Sequence, residues 1–298
     1  MLHQPTQQRP QNPIMNIQPS SEIGVNQETA LILEKKSASE KRFHSEKVTN
    51  SETAPVQEVF SSLQGEGVLV GKRQIFVRFA HCHLSCAYCD TPMQSVNSNC
   101  FVETPIASGA YAEYKNPVAG ESFLQLIEGL LAQMPHHSVS ITGGEPLLYW
   151  RFLKQVLPEL KQHLPTYLET SGTQPDFLAP LLPWLDWVAM DIKLPSATKE
   201  PPVFDKHQAF YQCLKQSPGL QCIVKIIFNT QSTQEEMQAV IDIVSERSTP
   251  IILQPETCLK TGQLKFNAQH AMQLEKILTA VFDDVRVIPQ THKMLQVL

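Results

Sequence analysis

Three cysteines fall within eight residues: Cys82, Cys86 and Cys89. Thiolates are soft ligands that suit zinc and iron–sulfur clusters. Spacings of three and then two residues let one short loop wrap a cluster with three sulfurs. Three thiolates on a four-iron cube leave one iron open to a small molecule, an arrangement for catalysis rather than for structure. A structural zinc site is the competing chemistry, with His81, His83 or Cys100 as fourth ligand. Such sites usually come from paired CxxC hairpins, and this chain has no second pair. Cys100, Cys213, Cys222 and Cys258 read most simply as buried or incidental thiols.

A second chemical segment is Ser140-Ile141-Thr142-Gly143-Gly144-Glu145-Pro146. Two glycines let the backbone approach a ligand closely, and the adjacent glutamate can accept from an ammonium group. A strand-to-helix turn would explain the glycines but does not call for Glu-Pro as well.

Both segments follow strand-like runs, and that is where α/β folds gather their chemistry. The runs are Gln74–Phe79, Val139–Thr142, Thr166–Glu169, Trp187–Ile192, Gln221–Phe228, Pro250–Leu253 and Val285–Ile288. Helical patterns lie between them at 121–134, 150–164, 205–216, 232–247 and 267–282, with a shorter one near 176–183. The first places Phe123, Leu124, Ile127, Leu130, Leu131 and Met134 on one face. Ser232 with Glu235 suits a capping box for the 232–247 helix. Alternating strands and helices imply an α/β fold: a parallel sheet, open or curled into a full or partial barrel, with helices outside. The stretch 92–120 has weak periodicity and reads as an irregular insert.

Residues 1–52 differ in kind. Proline, glutamine and mixed charges occur there without an apolar stripe, which predicts a disordered extension before one catalytic domain over 53–298. The whole chain has 298 residues with 24 basic and 29 acidic side chains, net −5. That balance argues against a nucleic-acid partner. No apolar run is long enough for a membrane span, and no secretory signal is evident. Seven cysteines without a signal favour metal binding in a reducing compartment, the cytoplasm by default.

The cysteine loop followed by Gly143-Gly144-Glu145-Pro146 resembles the radical S-adenosylmethionine (SAM) superfamily. Four further segments narrow the likeness: Ser62-Leu63-Gln64-Gly65-Glu66-Gly67, Glu169-Thr170-Ser171-Gly172-Thr173, Asp191-Ile192-Lys193-Leu194-Pro195-Ser196 and Pro289-Gln290-Thr291-His292-Lys293. Over residues 55–298 the chain resembles the 7-carboxy-7-deazaguanine synthases of queuosine and 7-deazapurine biosynthesis. The resemblance implies a partial (β/α)6-type radical SAM barrel, with a [4Fe–4S] cluster, SAM and Mg²⁺ as cofactors. It implies a homodimer and an electron donor such as flavodoxin or ferredoxin. The implied reaction is a lyase-type ring contraction of 6-carboxy-5,6,7,8-tetrahydropterin to 7-carboxy-7-deazaguanine with loss of ammonia, SAM being regenerated. A glycyl-radical-enzyme activase shares the cluster and fold but gives no reason for LQGEG or QTHK.

The same resemblance suggests residue roles. Cys82, Cys86 and Cys89 would hold the cluster and Thr91 would meet Mg²⁺. SAM would lie against Tyr88, Cys89 and Asp90, with Gly144 and Glu145 at its methionyl end and Ser171 and Lys193 at the ribose or carboxylate. The pterin would be met by Leu63, Gln64, Gly65, Glu66, Arg78, Thr142 and His292. Arg78 has the forked donor that matches a carboxylate, with a surface ion pair as its plainer role. Lys193 could instead pair with Asp191. The family usually has Gly and Asn where this chain has His81 and His83, which bears on the local turn and on the potential of the cluster.

Overall fold

The computed structural model of the protein describes residues 52–91 and 98–297. The extension expected over residues 1–52 thus lies, apart from its last residue, outside the described residues. The described chain opens with β1 (Thr53–Ala54), β2 (Val56–Leu63) and β3 (Arg73–Phe79). Then come β4 (Asn99–Glu103), β5 (Tyr111–Lys115), β6 (Val118–Ala119), α1 (Gly120–Leu131), β7 (Ser138–Gly143) and α2 (Trp150–His163). The next elements are β8 (Thr166–Thr170), α3 (Pro175–Leu178), β9 (Trp187–Asp191), α4 (Pro195–Thr198), α5 (Phe204–Leu214) and β10 (Gln221–Phe228). The last are α6 (Gln234–Ile243), β11 (Ile251–Pro255), α7 (Ala268–Thr279), β12 (Val285–Val287) and α8 (Thr291–Leu295).

The seven expected strands, β3 and β7 to β12, lie side by side in chain order and pair in parallel. This is the partial barrel, and the two ends of its sheet stay unpaired with each other among the described residues. Two corrections apply at the β3 end. The run Val56–Leu63 is a strand, antiparallel to β3. The insert read as irregular over 92–120 instead supplies β4, β5 and β6 beyond residue 97. β4 pairs parallel with β2, and β5 closes that edge antiparallel to β4. These strands escaped the sequence pattern because β5 is largely exposed and has no apolar alternation. Its regularity comes from its partner's backbone rather than from a buried face.

Successive strand residues point to opposite faces of the sheet, and here the two faces differ in kind. One face of the parallel strands, Leu168, Val188, Met190, Val224, Ile226, Phe228, Ile251 and Leu253, packs on the helices in the main core. The alternate positions Tyr167, Ala189, Ile223 and Ile252 form a second, smaller cluster, closed by Leu69 from the turn between β2 and β3. Two residues further along on that inner face, apolar gives way to polar: Glu169, Asp191, Lys225 and Gln254. The barrel is therefore plugged at the N-terminal ends of its strands and polar at their C-terminal ends.

The α6 capping box sits one residue later than expected, on Thr233 and Glu236. Ser232 cannot serve, because its hydroxyl accepts from Asn229 N at 3.1 Å and bonds Ser196 Oγ. Leu126 joins the buried face expected of α1, whereas Leu131 is only partly buried.

Candidate active site

The cysteine loop leaves β3 at Phe79 and is seated by the glycine turn after β7. Gly144 N donates to Phe79 O at 3.0 Å, and Glu145 N donates to His81 O at 2.8 Å. A Cβ on Gly144 would lie 1.8 Å from His81 O, and one on Gly143 would lie 2.3 Å from Phe79 backbone atoms. The second glycine thus makes room for the protein's own cysteine loop while its backbone still lines the cavity. His81 occupies the left-handed region, φ 61°, at the position where the resemblance leads one to expect glycine. Its Nδ1 meets Tyr149 Oη at 2.6 Å, a local anchor for a costly conformation. Further along, Cys89 N donates to Cys86 O, and Ala87 N donates to Thr198 O.

Cys82, Cys86 and Cys89 all line one open cavity, about 1040 Å³ with its mouth included. Burial pushes the Cys82 and Cys86 thiols up from their ordinary range. A neighbouring positive charge, as iron supplies, favours their ionised form. The donor set fits a cluster with three protein ligands. His83 Nε2 meets Thr173 Oγ1 at 2.7 Å, His81 is taken by Tyr149, and Cys100 is fully buried on β4, so each candidate for a fourth zinc ligand is engaged elsewhere.

The opposite wall is made by the inner face of the strands. Arg78, Thr142, Glu169, Asp191, Lys193, Lys225 and Gln254 line the same cavity as the thiols. Asp191 Oδ1 and Gln254 Oε1 are buried there without a hydrogen-bond partner. Lys193 Nζ donates to Asp191 Oδ2 at 3.0 Å and to Tyr88 Oη at 3.1 Å. The first-weighed alternative for Lys193, a pairing with Asp191, is thus present while the side chain still lines the cavity. Arg78 Nε donates to Glu58 at 2.7 Å, with its guanidinium over the Phe60 ring. Here too the plainer role and the cavity position coexist.

Glu145 departs from expectation. It is fully buried, off the cavity wall, and accepts from Thr170 Oγ1, Ser171 N, Ser171 Oγ and Leu147 N. Its oxygens bind the turn after β7 to the turn after β8. Ser171, by contrast, reaches the cavity.

Profile and sequence likeness agree with this geometry. The Radical SAM superfamily profile matches residues 76–246. The chain is 37% identical over 247 residues to the 7-carboxy-7-deazaguanine synthase of Geobacter sulfurreducens, covering 81% of this chain and 97% of that one. It is 34% identical over 265 residues to the 7-carboxy-7-deazaguanine synthase of Methanothermobacter thermautotrophicus, covering 81% and 97%. The chain belongs to the radical SAM superfamily and, within it, to the 7-carboxy-7-deazaguanine synthase family. The fold is also that of QueE from Escherichia coli, whose crystal structure covers 83% of this chain and 98% of its own at TM-score 0.53 and 21% identity. Nothing in these likenesses favours the activase.

In this synthase-family chain the two discriminating segments meet each other. Thr291 N and Oγ1 both donate to Gly65 O, and a Cβ on Gly65 would lie 2.2 Å from His292 Nδ1. Gly65 therefore makes room for α8. Gln64 is buried, donating to Gln74 at 2.8 Å and Glu169 at 3.0 Å. Leu63, Gln64, Gly65 and His292 brace this corner without lining the cavity, which Glu66 does reach. Thr91 and Asp90 lie at its mouth, where Lys293 Nζ donates to Asp90 at 2.8 Å.

Sequence reasoning missed Lys225, Glu169 and Gln254 as cavity residues. The signal was available in the alternation of each strand: a charged or amide residue two positions after an inward apolar one. It was obscured because β10 reads as one nearly continuous apolar run, in which a single lysine passes for an interruption. Among the described residues no helix is long and apolar enough to cross a membrane.

Proposed function

We propose that the protein converts 6-carboxy-5,6,7,8-tetrahydropterin to 7-carboxy-7-deazaguanine with loss of ammonia. One observation carries the reading: three thiols share one cavity with buried carboxylates and an amide that can accept hydrogen bonds, and with Arg78 and two lysines. When bound, the cluster and SAM would supply the radical chemistry that hydrogen abstraction at C6 of the substrate requires.

The residues of the chain bind and orient. Cys82, Cys86 and Cys89 hold the cluster, and Tyr88, Asp90, Gly144, Ser171 and Lys193 frame SAM beside it. The pterin edge is rich in N–H donors, and Glu66, Glu169, Asp191 Oδ1 and Gln254 Oε1 offer acceptors to match; unsatisfied buried acceptors are costly until such a partner arrives. Arg78 presents its remaining guanidinium N–H groups to the substrate carboxylate, and Thr142 adds a contact from the end of β7. Leu63, Gln64, Gly65 and His292 keep Glu66 in place. Glu145 acts on SAM through the Ser171 turn that it fixes. Thr91, at the cavity mouth, offers a hard oxygen for Mg²⁺ shared with substrate oxygens. The reading extends to a cytoplasmic homodimer reduced by a flavodoxin or ferredoxin.

The test is anaerobic reconstitution with iron and sulfide, then incubation with SAM, reductant, Mg²⁺ and carboxytetrahydropterin. The deazaguanine appears by mass without net loss of SAM. Stoichiometric SAM cleavage with no such product would refute the assignment.

A further inference from the structure

Lys225 has no part in the roles above, yet it lines the cavity. It projects from β10 and forms an ion pair with Glu66 Oε2, while Asp191 Oδ2 lies 3.9 Å from its Nζ. That same Asp191 oxygen is 3.0 Å from Lys193 Nζ. Charges therefore alternate along the wall: Glu66, Lys225, Asp191, Lys193. No side chain in the row is more than 14% exposed. Gln254 and Gln290 donate to the other oxygen of Glu66 at 3.2 and 2.8 Å. Glu169, His292 and the buried Tyr167 are the further charged or titratable groups that face Glu66 and Lys225.

We propose that Lys225 is a positioning residue for the reaction, fixing Glu66 as an acceptor-only carboxylate turned to the donor edge of the substrate. The proposal rests on the reading that Glu66 meets the pterin. Without Lys225, the carboxyl groups of Glu66, Asp191 and Glu169 would share a buried wall whose remaining ammonium, Lys193, is already committed to Asp191 and Tyr88. Like-charged neighbours and burial both favour the protonated acid. A protonated Glu66 would turn a donor toward donors, losing a hydrogen bond and adding a repulsion. In the intact protein burial raises Glu66, but the Lys225 charge and the hydrogen bonds outweigh it and bring its pKa to about 2. The carboxylate thus stays ionised across the physiological range.

Lys225→Met in the cluster-loaded enzyme tests this. KM for carboxytetrahydropterin rises roughly tenfold or more, while the spectral response of the reduced cluster to SAM is kept. An acid limb absent from the parent appears in kcat/KM, activity falling as pH is lowered and Glu66 gains its proton. Lys225→Arg restores both the KM and the flat profile. A second readout needs no substrate. In Lys225→Met the folded-state pKa of Glu66 is raised, so its contribution to stability is present at low pH and lost as pH rises through that value. Between pH 5 and 8 the melting temperature of this variant therefore falls relative to the parent, and Glu66→Gln with Lys225→Met abolishes that relative fall. The double variant also leaves the net charge of the buried wall as in the parent should the single one fold poorly. An unchanged KM and pH profile in Lys225→Met, or no relative fall in melting temperature, would overturn the proposal. Failure of the functional reading is distinct: the parent would then not turn over the pterin, while the melting behaviour would still follow the proposal.

Discussion

At the scale of single residues, the site is decided by what the glycines admit and what the thiols face. Gly144→Ala would push a methyl to 1.8 Å from the His81 carbonyl. Backbone cannot yield as a side-chain tip can, so the cysteine loop should shift, with a stability loss of about 2–3 kcal/mol and reduced iron content in the purified protein. Cys86→Ala should remove the brown chromophore and all turnover, since two thiolates cannot hold the cube; colour and iron analysis check it. The types and spacing of these residues were legible in the sequence. Their partners were not. Gly144, read as a place for ligand, lines the cavity but also makes the room that His81 needs, and Glu145, read as an ammonium acceptor, has its oxygens taken by Thr170, Ser171 and Leu147. Spacing tells which groups share a loop, whereas saturation depends on which other loop arrives beside it.

At the scale of elements, the strands that alternate along the chain announced themselves by buried runs bounded by turns. β2 and the β4–β5 hairpin did not, because an edge element draws its order from a neighbour's hydrogen bonds. The link between the Gly65 turn and α8 was equally hidden: the two segments lie more than two hundred residues apart, joined by Thr291 on Gly65 O and by His292 against the Gly65 Cα. Gly65→Ala should displace α8 and with it Gln290, a donor to Glu66. The expected result is a KM for the pterin raised roughly tenfold with an unaltered response of the cluster to SAM. Steady-state kinetics beside the cluster spectrum would check both halves. A matching loss in SAM response would place α8 on the cluster side of the cavity instead.

At the scale of the molecule, one open parallel sheet brings the thiol loop, the glycine turn and the polar ends of six strands to one rim. Stability should carry the mark of what is buried there. His207, fully buried on α5, lies 3.1 Å from Ser171 O, and burial holds its pKa at about 4 against an ordinary 6.5. Its folded-state pKa is depressed, so its contribution is complete above 6.5 and is lost as pH falls toward 4. The loss reaches about 3 kcal/mol at most. Denaturant unfolding from pH 7 to 4 should show this decline, and His207→Gln, which does not titrate, should flatten it. The account as a whole depends on the three thiols leaving one iron of the cluster free to take SAM. The most direct measurement is the electron paramagnetic resonance spectrum of the reduced, reconstituted protein before and after SAM is added. A changed cluster signal on SAM addition is predicted; an identical spectrum with saturating SAM would contradict it.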